Sequence, residues 1–292
     1  MKFEYIEAAS VKEAVSLIAK YNGRAKVIAG GTDLIVQIRR GMIKPEFVIN
    51  IGGINGLDFI NYDKEGLKIG ALTCVRSLER SEKVKRNHLV VSEAAGQLAS
   101  IGVRNIATVG GNLCNASPSA DMVPSLIGLG AEVKIAGLKR TRKVLLEDFF
   151  KGPGITVLGN GEMLVEIQVP KIPPKTGAAY LKYGIRGSID LAIVGIAAVI
   201  TLGKRGECQE AKIVLGAVAP TPMRARKAED LLKGKKIDQE LIEKSGEMAS
   251  EESRPISDVR ATAEYRKDMV KVFTRNALKE ALVRTGVTEK IS

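Results

Sequence analysis

Two glycine-rich segments constrain this chain more than any other feature. The first is Ala29-Gly30-Gly31-Thr32-Asp33-Leu34. The second runs Thr108-Val109-Gly110-Gly111-Asn112-Leu113-Cys114-Asn115-Ala116-Ser117-Pro118-Ser119-Ala120-Asp121. Each follows a stretch that reads as a strand. Each places adjacent glycines where the missing Cβ and access to positive φ let successive N–H groups point at one anion. Short polar side chains accompany both, and Asp121 sets a carboxylate at the end of the second. The first segment holds no basic residue, and Arg104 is the nearest one ahead of the second. An amide bond to a charged oxygen contributes about 1.5–3 kcal/mol, so such a cradle can hold a diphosphate with few lysines. Paired loops of this kind suit a ligand with two phosphates and a long polar middle, as in a dinucleotide; the competing reading is a pair of tight turns.

Other phosphate fingerprints are absent. No GxGxxG occurs, and no acidic residue stands ~20 positions on in a second strand to hold a ribose. Gly203-Lys204 and Gly234-Lys235 lack the glycine spacing and the Ser/Thr of a P-loop. The three cysteines, Cys74, Cys114 and Cys208, form no CxxC, and His88 is the single histidine. Disulfide frameworks, zinc ribbons and ordinary iron–sulfur ligation are therefore disfavoured, and redox chemistry would need an organic cofactor. His88 is expected at the surface or at a helix start.

The net charge of +12 raises nucleic-acid binding as a possibility. The basic residues, however, are spread along the chain and alternate with acids, as in Glu79-Arg80-Ser81-Glu82-Lys83-Val84-Lys85-Arg86. The densest cluster, Lys139-Arg140-Thr141-Arg142-Lys143, lies between apolar alternations and reads as a solvated hairpin tip without aromatic residues for stacking. No nucleic-acid partner is expected. The longest apolar stretch, 191–202, falls short of the ~18–20 residues that span a bilayer. Met1-Lys2-Phe3-Glu4-Tyr5-Ile6-Glu7 lacks the apolar centre of a signal peptide, so a cytoplasmic location without a membrane span is expected.

Ser10-Val11-Lys12-Glu13 has the form of a capping box and opens a helix over 10–20 that Gly23 stops. A strand over 25–29 enters the first glycine loop, a helix over 34–40 leaves it, and 47–51 completes a strand–helix–strand unit. A strand at 67–72, helices from Ser77 and over 89–100, and a helix over 121–128 surround the second loop. Residues 131–135 and 144–146 form a hairpin, and 163–170 a further strand. The stiff polar stretch Ile172-Pro173-Pro174-Lys175-Thr176-Gly177 marks a domain boundary. Beyond it come antiparallel strands at 178–183, 192–202 and 211–216. Helices follow over 225–232, 238–251 and 264–284, the last turning Tyr265, Met269, Val272, Phe273, Ala277 and Ala281 to one face that covers the sheet.

Over nearly its whole length the chain resembles the FAD-binding medium subunit of the molybdenum hydroxylase family, which includes carbon monoxide, nicotinate and xanthine dehydrogenases. The resemblance lies in Ala29-Gly30-Gly31-Thr32-Asp33-Leu34, in Arg104-Asn105-Ile106-Ala107-Thr108-Val109-Gly110-Gly111-Asn112 and in Ala116-Ser117-Pro118-Ser119-Ala120-Asp121. It continues through Asp148-Phe149-Phe150-Lys151-Gly152-Pro153-Gly154, Tyr180-Leu181-Lys182-Tyr183 and Asp258-Val259-Arg260-Ala261-Thr262-Ala263-Glu264-Tyr265-Arg266. It implies an α+β fold: a two-subdomain FAD-binding domain of the vanillyl-alcohol-oxidase/PCMH type over residues 1–175 (subdomains about 1–55 and 56–175). A small C-terminal α+β domain with a three-stranded sheet and helices would occupy 176–292.

By the same resemblance, Ala29, Gly30, Gly31, Thr32, Asp33 and Leu34, with Thr108, Val109, Gly110, Gly111 and Asn112, cradle the diphosphate of non-covalent FAD largely through N–H groups. Asp121 hydrogen-bonds the cofactor, Leu164 and Lys182 touch it from later strands, and Leu98 stands where relatives can place an aromatic on the adenine. Lys182, if near the ring, would favour the anionic reduced flavin. Gly184-Ile185-Arg186-Gly187-Ser188-Ile189-Asp190 has glycine where many relatives carry a second arginine, and no cysteine-rich insertion for an extra four-iron cluster is present. The implied activity is electron transfer from two-iron clusters of a small iron–sulfur subunit to an external acceptor. The molybdenum cofactor would reside in a large subunit, in a dimer of heterotrimers. No catalytic or metal-binding residue is assigned to this chain. Two alternatives stand beside it: a stand-alone flavin oxidase or reductase, with Cys114 as the plausible covalent tether, and a basic RNA- or protein-binding module without cofactor.

Overall fold

The computed structural model describes residues 2–186 and 189–287, arranged around three sheets. Strands β1 (Glu4–Glu7), β2 (Ala25–Ile28) and β3 (Phe47–Asn50) form a parallel sheet in the order β1-β3-β2. Helix α1 (Val11–Tyr21) makes the first crossover and α2 (Leu34–Arg39) the second. The Ser10 hydroxyl accepts the Glu13 amide, and the Glu13 carboxylate accepts the Ala9 amide at 2.8 Å, so the capping box forms. Asn22 in the left-handed region ends α1 one residue before Gly23.

The second sheet is antiparallel. Its elements are β4 (Ile60–Asp63), β5 (Gly66–Gly70), α3 (Val75–Arg80), α4 (Glu82–Gly96), α5 (Ile101–Arg104), α6 (Val109–Cys114), α7 (Met122–Gly128), β6 (Glu132–Gly137), β7 (Thr141–Leu145), β8 (Phe150–Gly152), β9 (Ile155–Thr156) and β10 (Glu162–Pro170). The main sheet runs β4-β5-β10-β6-β7. α3 begins at Val75, two residues before Ser77. α4 begins behind the Ser81 cap, because that hydroxyl accepts the Val84 amide.

His88 corrects the surface expectation. It is fully buried inside α4, at a kink with φ −147°, and its Nε2 lies 2.9 Å from the Pro170 carbonyl. Burial lowers its pKa. The second glycine loop also departs from expectation. No strand precedes it; α5 does, and the glycines themselves sit in α6, with the Thr108 hydroxyl capping it.

The third sheet, β11 (Thr176–Tyr183), β12 (Val194–Leu202), β13 (Cys208–Gly216) and β14 (Met223–Arg224), is antiparallel in that order; its fourth strand is a two-residue addition to the three expected. Helices α8 (Arg226–Leu232), α9 (Gln239–Glu252) and α10 (Ala263–Arg284) cover one face. α10 is rotated from the expected face: Arg266, Val270, Thr274, Ala277, Leu278, Ala281 and Leu282 are buried, whereas Tyr265 stays 40% exposed.

Strand β12 is apolar along both faces for a definite reason. Ile196, Ala198 and Ile200 pack under the C-terminal helices, while Ala197 and Val199 join the core around β5, α7 and β10. Beyond the polar break at 172–177 the third sheet thus has a core of its own on one face and joins the preceding core with the other. Similarly, α1 and β3 share a core with Leu72, Ala136, Met163 and Val165 of the second sheet. The three sheets meet around one cleft.

Candidate functional site

The cleft measures about 600 Å³, within the ~300–1,000 Å³ of small-molecule and cofactor sites. Its apolar walls include Leu72, Leu98, Val103 and Leu164. Ala29, Gly30, Gly31, Thr32, Asp33 and Leu34 border it from the end of β2, and Thr108, Gly110, Gly111, Asn112 and Asp121 from α6 to the start of α7. Ile189, Asp190 and Leu191 reach it from the connection between the first two strands of the third sheet. Of the residues singled out in the sequence, Val109 and Lys182 do not line it. Within the segment 184–190, Gly187 and Ser188 lie outside the described residues.

The two glycine loops differ in where their amides go. Among the described residues, the amides of Gly30, Gly31, Thr32 and Asp33 have no acceptor. Gly31 has φ +71°, the left-handed region open to glycine. A Cβ on Gly30 would stand 2.1 Å from the Ile106 carbonyl oxygen, so the two loops touch there by backbone alone. In the second loop, the amide of fully buried Val109 donates to Thr73 O and that of Gly110 to Ala71 O, both at 2.9 Å. The Gly111 amide donates to Thr108 Oγ1 at 3.1 Å, and the Asn112 amide to Thr108 O. Of the donors expected over 108–112, the amides of Val109 to Asn112 are therefore already taken, while that of Thr108 has no acceptor among the described residues. What this loop leaves facing inward is a side chain, because Asn112 Oδ1 is buried without a partner.

Asp121, at the N-cap position of α7, caps nothing. Its Oδ1 accepts from Tyr180 Oη at 3.1 Å and its Oδ2 from Lys182 Nζ at 3.0 Å. The side chains of Lys182 and Asp121 are 3% and 7% exposed. Burial pushes the Asp121 carboxyl up to about 6, against the opposing pull of the Lys182 charge and the two hydrogen bonds. Burial likewise raises the Tyr180 phenol. The Lys182 charge is thus balanced by Asp121, and because Lys182 does not line the cleft, the condition for its favouring the anionic reduced flavin, a place near the ring, is not met by its side chain here. Tyr180 was not singled out, yet β-strand alternation puts Tyr180 and Lys182 on one face, which is the signal that finds it.

Lys26 is the one basic side chain among the described residues lining the cleft. An anion there relies on backbone amides, and the residues fit a phosphate-bearing nucleotide: unpaired N–H groups at one loop for the phosphates, a buried, unpartnered acceptor oxygen of Asn112 at the other for a hydroxyl or N–H of the nucleotide, and apolar walls between. Burial raises the Cys114 thiol to about 12, so at neutral pH it is protonated and a poor nucleophile.

A cleft of this kind at the meeting of three sheets defines a nucleotide-cofactor-binding protein. Residues 1–172 match the profile of the FAD binding domain in molybdopterin dehydrogenase, and residues 179–281 that of the CO dehydrogenase flavoprotein C-terminal domain. The glyceraldehyde dehydrogenase medium chain of Sulfolobus acidocaldarius is 32% identical, with 96% of this chain and 98% of that one covered. The 6-hydroxypseudooxynicotine dehydrogenase complex subunit alpha of Paenarthrobacter nicotinovorans is 31% identical over 99% of this chain and 97% of the relative. The carbon monoxide dehydrogenase structure from Hydrogenophaga pseudoflava superposes with a TM-score of 0.94 at 33% identity, covering 97% of this chain and 98% of that one. The chain belongs to the FAD-binding flavoprotein subunits of the molybdenum hydroxylases, a family of oxidoreductases. Among the described residues, no helix is long and apolar enough to cross a membrane.

Proposed function

We propose that this chain holds FAD non-covalently in the cleft and serves as the exit for electrons in a larger complex. Its partners would be a large molybdopterin-binding subunit and a small subunit with two-iron two-sulfur clusters, assembled as a dimer of heterotrimers in the cytoplasm. Bound FAD would supply the capacity to collect electrons singly and release them in pairs. The chain's own residues bind and orient. Gly30, Gly31, Thr32 and Asp33 would meet the diphosphate through their N–H groups, and Asn112 Oδ1 would accept a hydroxyl or N–H of the nucleotide. Leu98 and Leu164 keep water from the apolar walls, and Asp121 and Lys182 hold the C-terminal sheet against the cleft. No side chain needs to act as acid, base or nucleophile on the organic substrate.

The observation that carries this reading is the run of unaccepted amides at Gly30–Asp33 on an apolar-walled cleft with a single basic side chain. Titrating the purified chain with FAD tests it. The expected result is one FAD per chain, released into the supernatant on acid precipitation. Failure to take up FAD would remove the reading; colour retained in the precipitate would favour a covalent flavin oxidase instead.

A further inference from the structure

Three consecutive carbonyls in the cleft wall are each held by a buried cation. Lys182 Nζ donates to Gln97 O at 2.9 Å. Arg104 Nη1 donates to Leu98 O at 2.9 Å and to Ala99 O at 2.7 Å. The Arg104 side chain is 8% exposed, and its Nε is paired with Glu79 at 2.8 Å; Glu79 is held in turn by Arg76. Ala99 has φ +43°, a region that residues with a Cβ rarely adopt without support from their surroundings. Leu98 and Ala99 both line the cleft. Because their carbonyl oxygens are directed to Arg104, the turn shows the cleft its side chains. In a cavity that holds phosphate by amides, inward-facing carbonyl dipoles would repel the ligand.

We propose that Arg104 is a positioning residue for the flavin nucleotide, acting through the 97–99 turn: it keeps Ala99 in the left-handed conformation and turns two carbonyls away from the cleft. The inference rests on the FAD reading above. It also explains the residue type. One guanidinium reaches a carboxylate on one edge and two carbonyls with another N–H group, a fork that the point charge of lysine does not reproduce.

The test uses the full chain, with FAD titrations followed by flavin fluorescence and visible circular dichroism, and with separate thermal unfolding of the FAD-free protein. Arg104→Lys should weaken FAD binding about ten- to hundredfold, the range expected for losing a charged hydrogen bond. Adding Ala99→Gly should recover affinity several-fold without recovering the melting temperature, because glycine adopts positive φ unaided. With Arg104 intact, Ala99→Val should also weaken binding, since a β-branched residue resists that conformation. If the Arg104 variant does not fold, Ala99→Val and Ala99→Gly decide the matter. Arg104→Lys or Ala99→Val binding as tightly as the unaltered chain would overturn the inference. So would affinity and melting temperature falling together in Arg104→Lys with no recovery from Ala99→Gly. An unaltered chain that takes up no FAD overturns the cofactor reading and this inference with it; an unaltered chain that binds beside variants that bind equally overturns this inference alone.

Discussion

At Gly30-Gly31 the chain leaves successive amides without an acceptor on the edge of a cleft; at Gly110-Gly111 the amides in reach are already bonded to Ala71, Thr73 and Thr108. Both pairs look alike in sequence. The first lacks a side chain so that a loop can hold open a row of donors, whereas the second lacks one so that backbone can close on backbone. A Cβ on Gly110 would lie 2.6 Å from the Ala71 carbonyl oxygen. The first loop is therefore a binding element, and the second, with the buried ion pair that follows it, is a structural wall presenting the Asn112 side chain. Substitutions should separate the two, affinity being lost at one and stability at the other.

The largest effect is expected at the end of the second loop. Asp121→Ala leaves the Lys182 ammonium buried with only the Gln97 carbonyl, which should cost about 3–5 kcal/mol in urea unfolding of the FAD-free chain. A loss near zero would mean that water reaches the pair, and the wall would not depend on it. Gly110→Ala comes next, at about 1–3 kcal/mol of stability, because the new methyl forces α6 away from Ala71. Should that variant instead keep its melting point and lose FAD, the assignment of the two loops would be reversed.

A smaller and more selective effect belongs to the first loop. Replacing Thr32 by its α-hydroxy analogue deletes a single N–H group. FAD affinity should fall about tenfold, with the melting point of the FAD-free chain unmoved. An unchanged dissociation constant would take that amide out of the cradle.

A separate effect, comparable in size to that of Gly110→Ala, is expected in pH dependence. The Asp121 carboxyl is raised in the fold to about 6 from an ordinary 3.8. Its contribution to stability is therefore fully present below the ordinary value and is lost as pH rises through about 6. The stability of the unaltered chain minus that of Asp121→Asn should decline across this window and level off above it. A constant difference would show the carboxyl to be ordinary. His88 runs the other way: its depressed pKa makes the fold lose stability as pH falls below the ordinary histidine value of 6.5. Both titrations should therefore be read on the difference between variants and not on the raw profile.

Local pattern was sufficient for most elements. The Ser10 cap, the alternation in β10 and the antiparallel strands of the third sheet each follow from neighbouring residues whose preferences agree. It failed where distant chain decided. His88 is expected from sequence at the surface or at a helix start, yet the Pro170 carbonyl, far along the chain, gives it a buried partner at a kink. The site residues divide in the same way: Gly30 to Asp33 were legible as a donor row, whereas the partners of Gly110, Asp121 and Lys182 come from distant parts of the chain.

The amino-acid sequence by itself determined most element types, the glycine positions and the family, because these rest on residue identity and short-range spacing. Tertiary structure alone decided which amides stay open, that the Lys182 charge is cancelled by Asp121, and that a guanidinium sets the 97–99 turn. The physical reason is that a hydrogen-bonding group acts on a ligand only through the capacity its own fold has left unfilled, and contacts across sheets fill that capacity.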